Sequence, residues 1–160
     1  MGSEAPRLRR CTILCVGNEL HGDDGFGPAV HAALQAGPLP PGVRLHRADL
    51  GSPSTLGHLE HSDHLIVVDA LRGFGPPGSV HLQDAWPLAE ACLADAAPAG
   101  LHAAGLGQLL GTWAHLDARR PQVTLIGVEI TPPRPYHPGL SPTVAARLPL
   151  VLEHIQALLS

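Results

Sequence analysis

Three polar side chains fall where an ordered chain could assemble a reactive site. Glu19 follows the apolar run Cys11–Val16, inside the loop Gly17-Asn18-Glu19-Leu20-His21-Gly22-Asp23-Asp24-Gly25-Phe26-Gly27. Asp69 follows the apolar run Leu65–Val68, and His102 opens a helical pattern. Two carboxylates and one imidazole make a donor set for a divalent transition ion such as nickel, zinc or manganese, with positions left open for a substrate. Singly, an Asp at a strand end can cap a turn and a His at a helix start more often faces solvent. It is their combination that points to chemistry.

Other chemistries fit the same residues less well. The first loop lacks Gly-x-Gly-x-x-Gly because position 19 is Glu, and its three acids would repel a pyrophosphate. Its acids also lack the alternation of a calcium loop. Asp23 and Asp24 are therefore assigned to the turn and the start of the next helix. No Gly-x-Ser-x-Gly occurs, and Cys11, Cys15 and Cys92 lack Cys-x-x-Cys spacing. Cys11 and Cys15 read as buried thiols, so water is the expected nucleophile of any hydrolysis. His58, His61 and His64 have i, i+3 spacing, but the helical pattern ends near Glu60 and a strand starts by Leu65, so all three are expected in solvent. His137, in Pro-Arg-Pro-Tyr-His-Pro, lies on a loop that could reach the same rim.

The elements that must position these groups are legible. Cys11–Val16, Leu65–Val68 and Val123–Val128 are continuous apolar runs, as expected for parallel strands covered on both faces. Val43–His46 reads as a weaker strand, and Ser79–Leu82, after Pro76-Pro77-Gly78, as a hairpin edge strand. Helical patterns cover Gly27–Leu34, Ser52–Leu59, His102–Leu116 and the tail from Ser141, where Pro149 should introduce a kink. The segment from Asp84 to Pro98, with two prolines, reads as a loop holding one helical turn. The order gives an α/β fold, a single doubly wound domain over 1–160 with a mostly parallel sheet, helices on both faces and a flexible arm at 1–10. In that fold ligands bind at the carboxyl ends of the strands, where Glu19, Asp69 and His102 can converge.

Composition narrows the partners. The 160 residues carry ten Arg, no Lys, fourteen acids and eleven His, for a formal charge of −4. No basic stripe exists to neutralise phosphates, which excludes a sequence-independent nucleic-acid binder. Two Trp, one Tyr and two Phe are too few for a base-stacking platform. No run approaches the roughly 20 apolar residues of a membrane span, and the short run after Arg10 lacks a cleavage site, so a soluble cytoplasmic protein is expected.

The chain resembles the hydrogenase maturation endopeptidases, which trim the C-terminal extension from the large subunit of nickel-iron hydrogenases. The resemblance is carried by Gly17-Asn18-Glu19-Leu20 with Gly22 to Pro28, by Val67-Val68-Asp69-Ala70 and by Pro77-Gly78-Ser79-Val80. Farther on it is carried by His102 with Gly105-Leu106, by Leu125 to Glu129 and by Gly139-Leu140-Ser141-Pro142. It implies an α/β peptidase in which Glu19, Asp69 and His102 match metal-contacting positions. It also implies that nickel is supplied by the immature large subunit, with no organic cofactor. Asp49, in Arg47-Ala48-Asp49-Leu50-Gly51, stands where the family has an Asp followed by glycines, although Leu50 replaces the first of these. A non-catalytic nickel-sensing maturation factor is the alternative.

Overall fold

The computed structural model describes residues 9–50, 52–94, 96, 103–116 and 119–160; His102 and the N-terminal arm through residue 8 lie outside them. The chain runs in the order β1 (Cys11–Val16), α1 (Phe26–Gln35), β2 (Val43–Ala48), α2 (Ser54–Glu60), β3 (His64–Leu71) and β4 (Val80–Asp84). The chain continues through α3 (Ala85–Leu93), α4 (Ala103–Leu116), β5 (Gln122–Glu129), α5 (Pro142–Ala145) and α6 (Leu148–Leu159). The sheet order is β2-β1-β3-β5-β4, parallel except for the antiparallel edge strand β4. Among the described residues no helix is long and apolar enough to cross a membrane.

β1 and β3 are buried at every position, which is why neither run alternates. One sheet face carries Leu14, Val16, Leu65, Val67 and Leu125 beneath α2, α3 and α4. The other carries Ile13, Cys15, Ile66 and Val68 beneath α1 and α6. Helices cover both faces, as a doubly wound fold requires. Each fully buried aliphatic side chain contributes about 1.5–3 kcal/mol, so the sheet interior is the main source of stability.

Four local readings need correction. First, the expected loop after Asp84 is the helix α3. Asp84 caps it by accepting a hydrogen bond from Trp86 N at 3.1 Å, and Pro87 falls in the first turn, where no intrahelical acceptor is lost. Ala85, Leu88 and Ala89, at i, i+3 and i+4, turn inward. Second, β4 forms no hairpin with β3 but pairs with β5. Third, Pro149 does more than kink the tail: α5 ends, and α6 restarts with Pro149 in its first turn. Fourth, β3 begins one residue early, so His64 shares the inward face of Ile66 and is buried rather than solvated, its Nε2 2.8 Å from Thr124 Oγ1. His61 is exposed as expected, whereas His58 is half-buried with its ring 4.3 Å from that of His46. Within the arm expected to be flexible, Arg9 bonds Gln122, and Arg10 bonds Asp63 through both backbone and guanidinium.

Candidate active site

The loops leaving β1 and β3 diverge. From β1 the chain goes to β2 on one side, and from β3 it goes to β4 and β5 on the other. A crevice is therefore expected above the carboxyl ends of β1 and β3. Glu19 stands in the loop after β1 and Asp69 near the end of β3. Since Val68 pairs with Cys15, Asp69 is level with Val16, three residues before Glu19. Asp69 also shares the sheet face of Val67, the face that α4 covers.

Backbone geometry fixes the first loop. Gly17 has φ +135°, and a Cβ there would lie 2.0 Å from Asp24 O, so only glycine fits. Asn18 N donates to both the carbonyl of Asp24 and its Oδ2, at 3.1 and 3.0 Å, and Leu20 N donates to Asn18 Oδ1 at 3.0 Å. Gly27 brings α1 against β1, since a Cβ there would be 1.9 Å from Val16 O. Asp23 accepts from Ser141 N at 2.6 Å and Ser141 Oγ at 2.9 Å. The two aspartates thus serve the turn as expected, although the helix that Asp23 supports is the distant α5.

This scaffold presents Glu19 to solvent, 3.4 Å from Arg47 Nη1. Both side chains line a cleft of about 390 Å³ with Asn18, Asp24 and Asp49. Glu19 and Asp49 are thus brought together, and Arg47 joins them. Spacing did not reveal Arg47, yet the rule that places Glu19 at a strand end applies equally to the end of β2. Asp69 does not line this cleft. It is 1% exposed, and its Oδ1 accepts from Ala70 N at 2.8 Å. His102 lies outside the described residues, so its relation to these acids is not part of this geometry. Among the described residues, no three His, Cys, Asp or Glu side chains form a metal-holding group.

Glu129 is a further buried acid at the carboxyl edge of the sheet, and its role is structural. Its carboxylate accepts from Gly73 N at 2.6 Å and Phe74 N at 3.1 Å, tying the segment after β3 to β5. The thiols lie apart from the cleft. Burial pushes Cys11 up to about 11 and Cys15 up to about 12, far from the thiolate needed for attack. His137 forms a backbone bridge with His21, placing its loop beside the first loop. The arrangement therefore offers the carboxylates of Asp49 and Glu19 in the loops after β2 and β1, with Asp69 buried near the carboxyl end of the neighbouring β3. A carboxylate at this exposed rim is placed to accept a proton from water.

The family model for hydrogenase maturation proteases matches residues 29–158, a stretch that contains Asp49, Asp69 and His102 and begins after Glu19. The hydrogenase 2 maturation protease of Escherichia coli K12 is 30% identical over 152 residues, covering 94% of this chain and 90% of that protein. The hydrogenase expression/formation protein HupD of Rhodobacter capsulatus is 30% identical over 148 residues, and this chain spans 66% of its length. The solved hydrogenase maturating endopeptidase HybD from E. coli superposes with a TM-score of 0.80 at 29% identity, over 94% of this chain and 91% of that one.

Proposed function

Because the chain belongs to the hydrogenase maturation protease family, we propose that it is an endopeptidase that removes the C-terminal extension of a nickel-loaded hydrogenase large-subunit precursor. The nickel belongs to the substrate and acts as the recognition element. Glu19, Asp69 and His102 are the groups that engage it, and Asp49 assists from the same cleft as Glu19. The observation that carries this reading is the cleft shared by Glu19 and Asp49, in the loops after β1 and β2, with Asp69 near the carboxyl end of the adjacent parallel strand β3.

Water is the attacking group. Its oxygen adds to the scissile carbonyl, a carboxylate of the cleft takes its proton, and the C–N bond breaks as the leaving amine is protonated. The buried, protonated state of Cys11 and Cys15 supports water over a thiolate. Preorganisation comes from the pinned first loop, which holds Glu19 without drawing on substrate binding energy.

Purified protein incubated with nickel-loaded precursor tests the reading, with trimming followed as a gel shift. Glu19→Gln, Asp69→Asn and His102→Ala should keep the native circular dichroism and lose trimming by roughly 10²-fold or more. Full trimming by all three variants would overturn the site, and no trimming by the wild type would overturn the peptidase. A purely nickel-sensing factor would bind the precursor in the same experiment and leave its length unchanged.

A further inference from the structure

The first loop has a second side. Gly22 and Asp23 line another cleft of about 390 Å³ together with Arg134, His137 and Ser141 from the loop after β5. Leu20 lines the Glu19 cleft and Gly22 the second one. Two residues of chain span at most about 7 Å, so the two clefts share the first loop as a common wall.

The second cleft has a defined charge. Arg134 is exposed, and among the described residues its guanidinium has neither a hydrogen bond nor an ion pair. Asp23, the acid that lines this cleft, is already engaged by the N–H and Oγ of Ser141. His137 adds a second hydrogen-bonding group, with its Nδ1 held 3.0 Å from Pro135 O. Tyr136 stands between Arg134 and His137, 84% exposed at φ +61°, with its ring edge-on to His21 at 6.1 Å. An exposed Tyr beside an unpaired Arg is the composition of an interface anchor.

We propose that this second cleft binds the substrate chain next to the scissile bond, and that Arg134 selects an acidic side chain there. The proposal rests on the peptidase reading above. An endopeptidase substrate continues past the cut, and the two clefts adjoin across the first loop. The group reaching Arg134 is therefore an internal Asp or Glu side chain rather than the chain's terminal carboxylate. A planar guanidinium takes such a carboxylate through two parallel hydrogen bonds, which a Lys ammonium cannot reproduce. Arg134 is thus a specificity residue and not a catalytic one.

The test uses the full-length protein and the nickel-loaded precursor, with trimming rates measured over a range of precursor concentrations. Arg134→Gln should raise KM about tenfold and hold kcat within about twofold, and Arg134→Lys should recover only part of the loss. Replacing acidic precursor residues within six positions of the cut, one at a time, by their amides should reproduce the KM rise at one position. At that position the wild type and Arg134→Gln should then become equal. Unchanged KM in Arg134→Gln, with the wild type trimming normally, overturns this inference and leaves the peptidase reading intact. A wild type that does not trim overturns both. A fall in kcat with KM unchanged would place Arg134 in the chemical step and also refute a specificity role.

Discussion

His64 gives the most quantitative handle on the fold. It is 1% exposed at the start of β3, its Nε2 lies 2.8 Å from Thr124 Oγ1, and burial lowers its pKa from 6.5 to about 4. A depressed native value means that the unfolded chain binds the proton more tightly. The stability is therefore complete above pH 6.5 and is lost as pH falls toward 4. The full span corresponds to about 3.4 kcal/mol. At pH 5 the unfolded imidazole is about 97% protonated and the native one about 10%, so about 2 kcal/mol is already lost. Urea unfolding at pH 7.5 and pH 5.0 measures this directly. The pH-dependent loss in the wild type should exceed that in a His64→Leu/Thr124→Val variant by about 2 kcal/mol, the double change sparing Thr124 an unsatisfied hydroxyl. The other ten histidines cancel in the comparison. Equal losses in the two proteins, or an NMR titration of His64 near 6.5, would refute the reasoning.

Three further outcomes follow from named contacts. Gly27→Ala drives a Cβ to 1.9 Å from the carbonyl of Val16, backbone that cannot yield, and should cost about 3 kcal/mol or more in a denaturation curve. Glu129→Ala frees the amides of Gly73 and Phe74, which should cost about 2–3 kcal/mol and speed hydrogen exchange at those two positions above all others in the segment. Native protein exposed to iodoacetamide at pH 8 should remain unlabelled at Cys11 and Cys15, read by peptide mass spectrometry, because both thiols are buried and protonated.

The strands at the centre of the sheet were legible because they are buried on both faces. Their apolar runs carry no competing signal, and Cys11–Val16 is found with its expected bounds. Edges and helix ends were harder, since there the decisive partner is remote in sequence. α3 is held by Ala85, Leu88 and Ala89 packing into the core shared with α4, and an Ala-rich segment holding two prolines does not advertise that contact. The partner of β4 is β5, nearly forty residues on, which no turn signal can announce. For His64 the difference is a single residue at the start of β3, and in a strand one residue decides between core and solvent.

The site divides along the same line. Glu19 was visible because a strand, a glycine turn and an acid are consecutive in the chain, and a local signal suffices for a local arrangement. Arg47 and Arg134 were not, because what matters about each is a neighbour supplied by the topology. Arg47 meets Glu19 only since β2 lies beside β1, and Arg134 meets Gly22 and Asp23 only since the loop after β5 returns across the sheet to the first loop. That return is fixed by the bridge between His21 and His137 and by the grip of Asp23 on Ser141. Asp23→Ala should therefore act beyond stability. By releasing Ser141 it uncouples the two clefts, so at unchanged secondary structure the KM for the precursor should rise while a Glu19-dependent residual rate persists. If Asp23→Ala lowered the melting temperature and left KM as in the wild type, the two clefts would not be working as one surface.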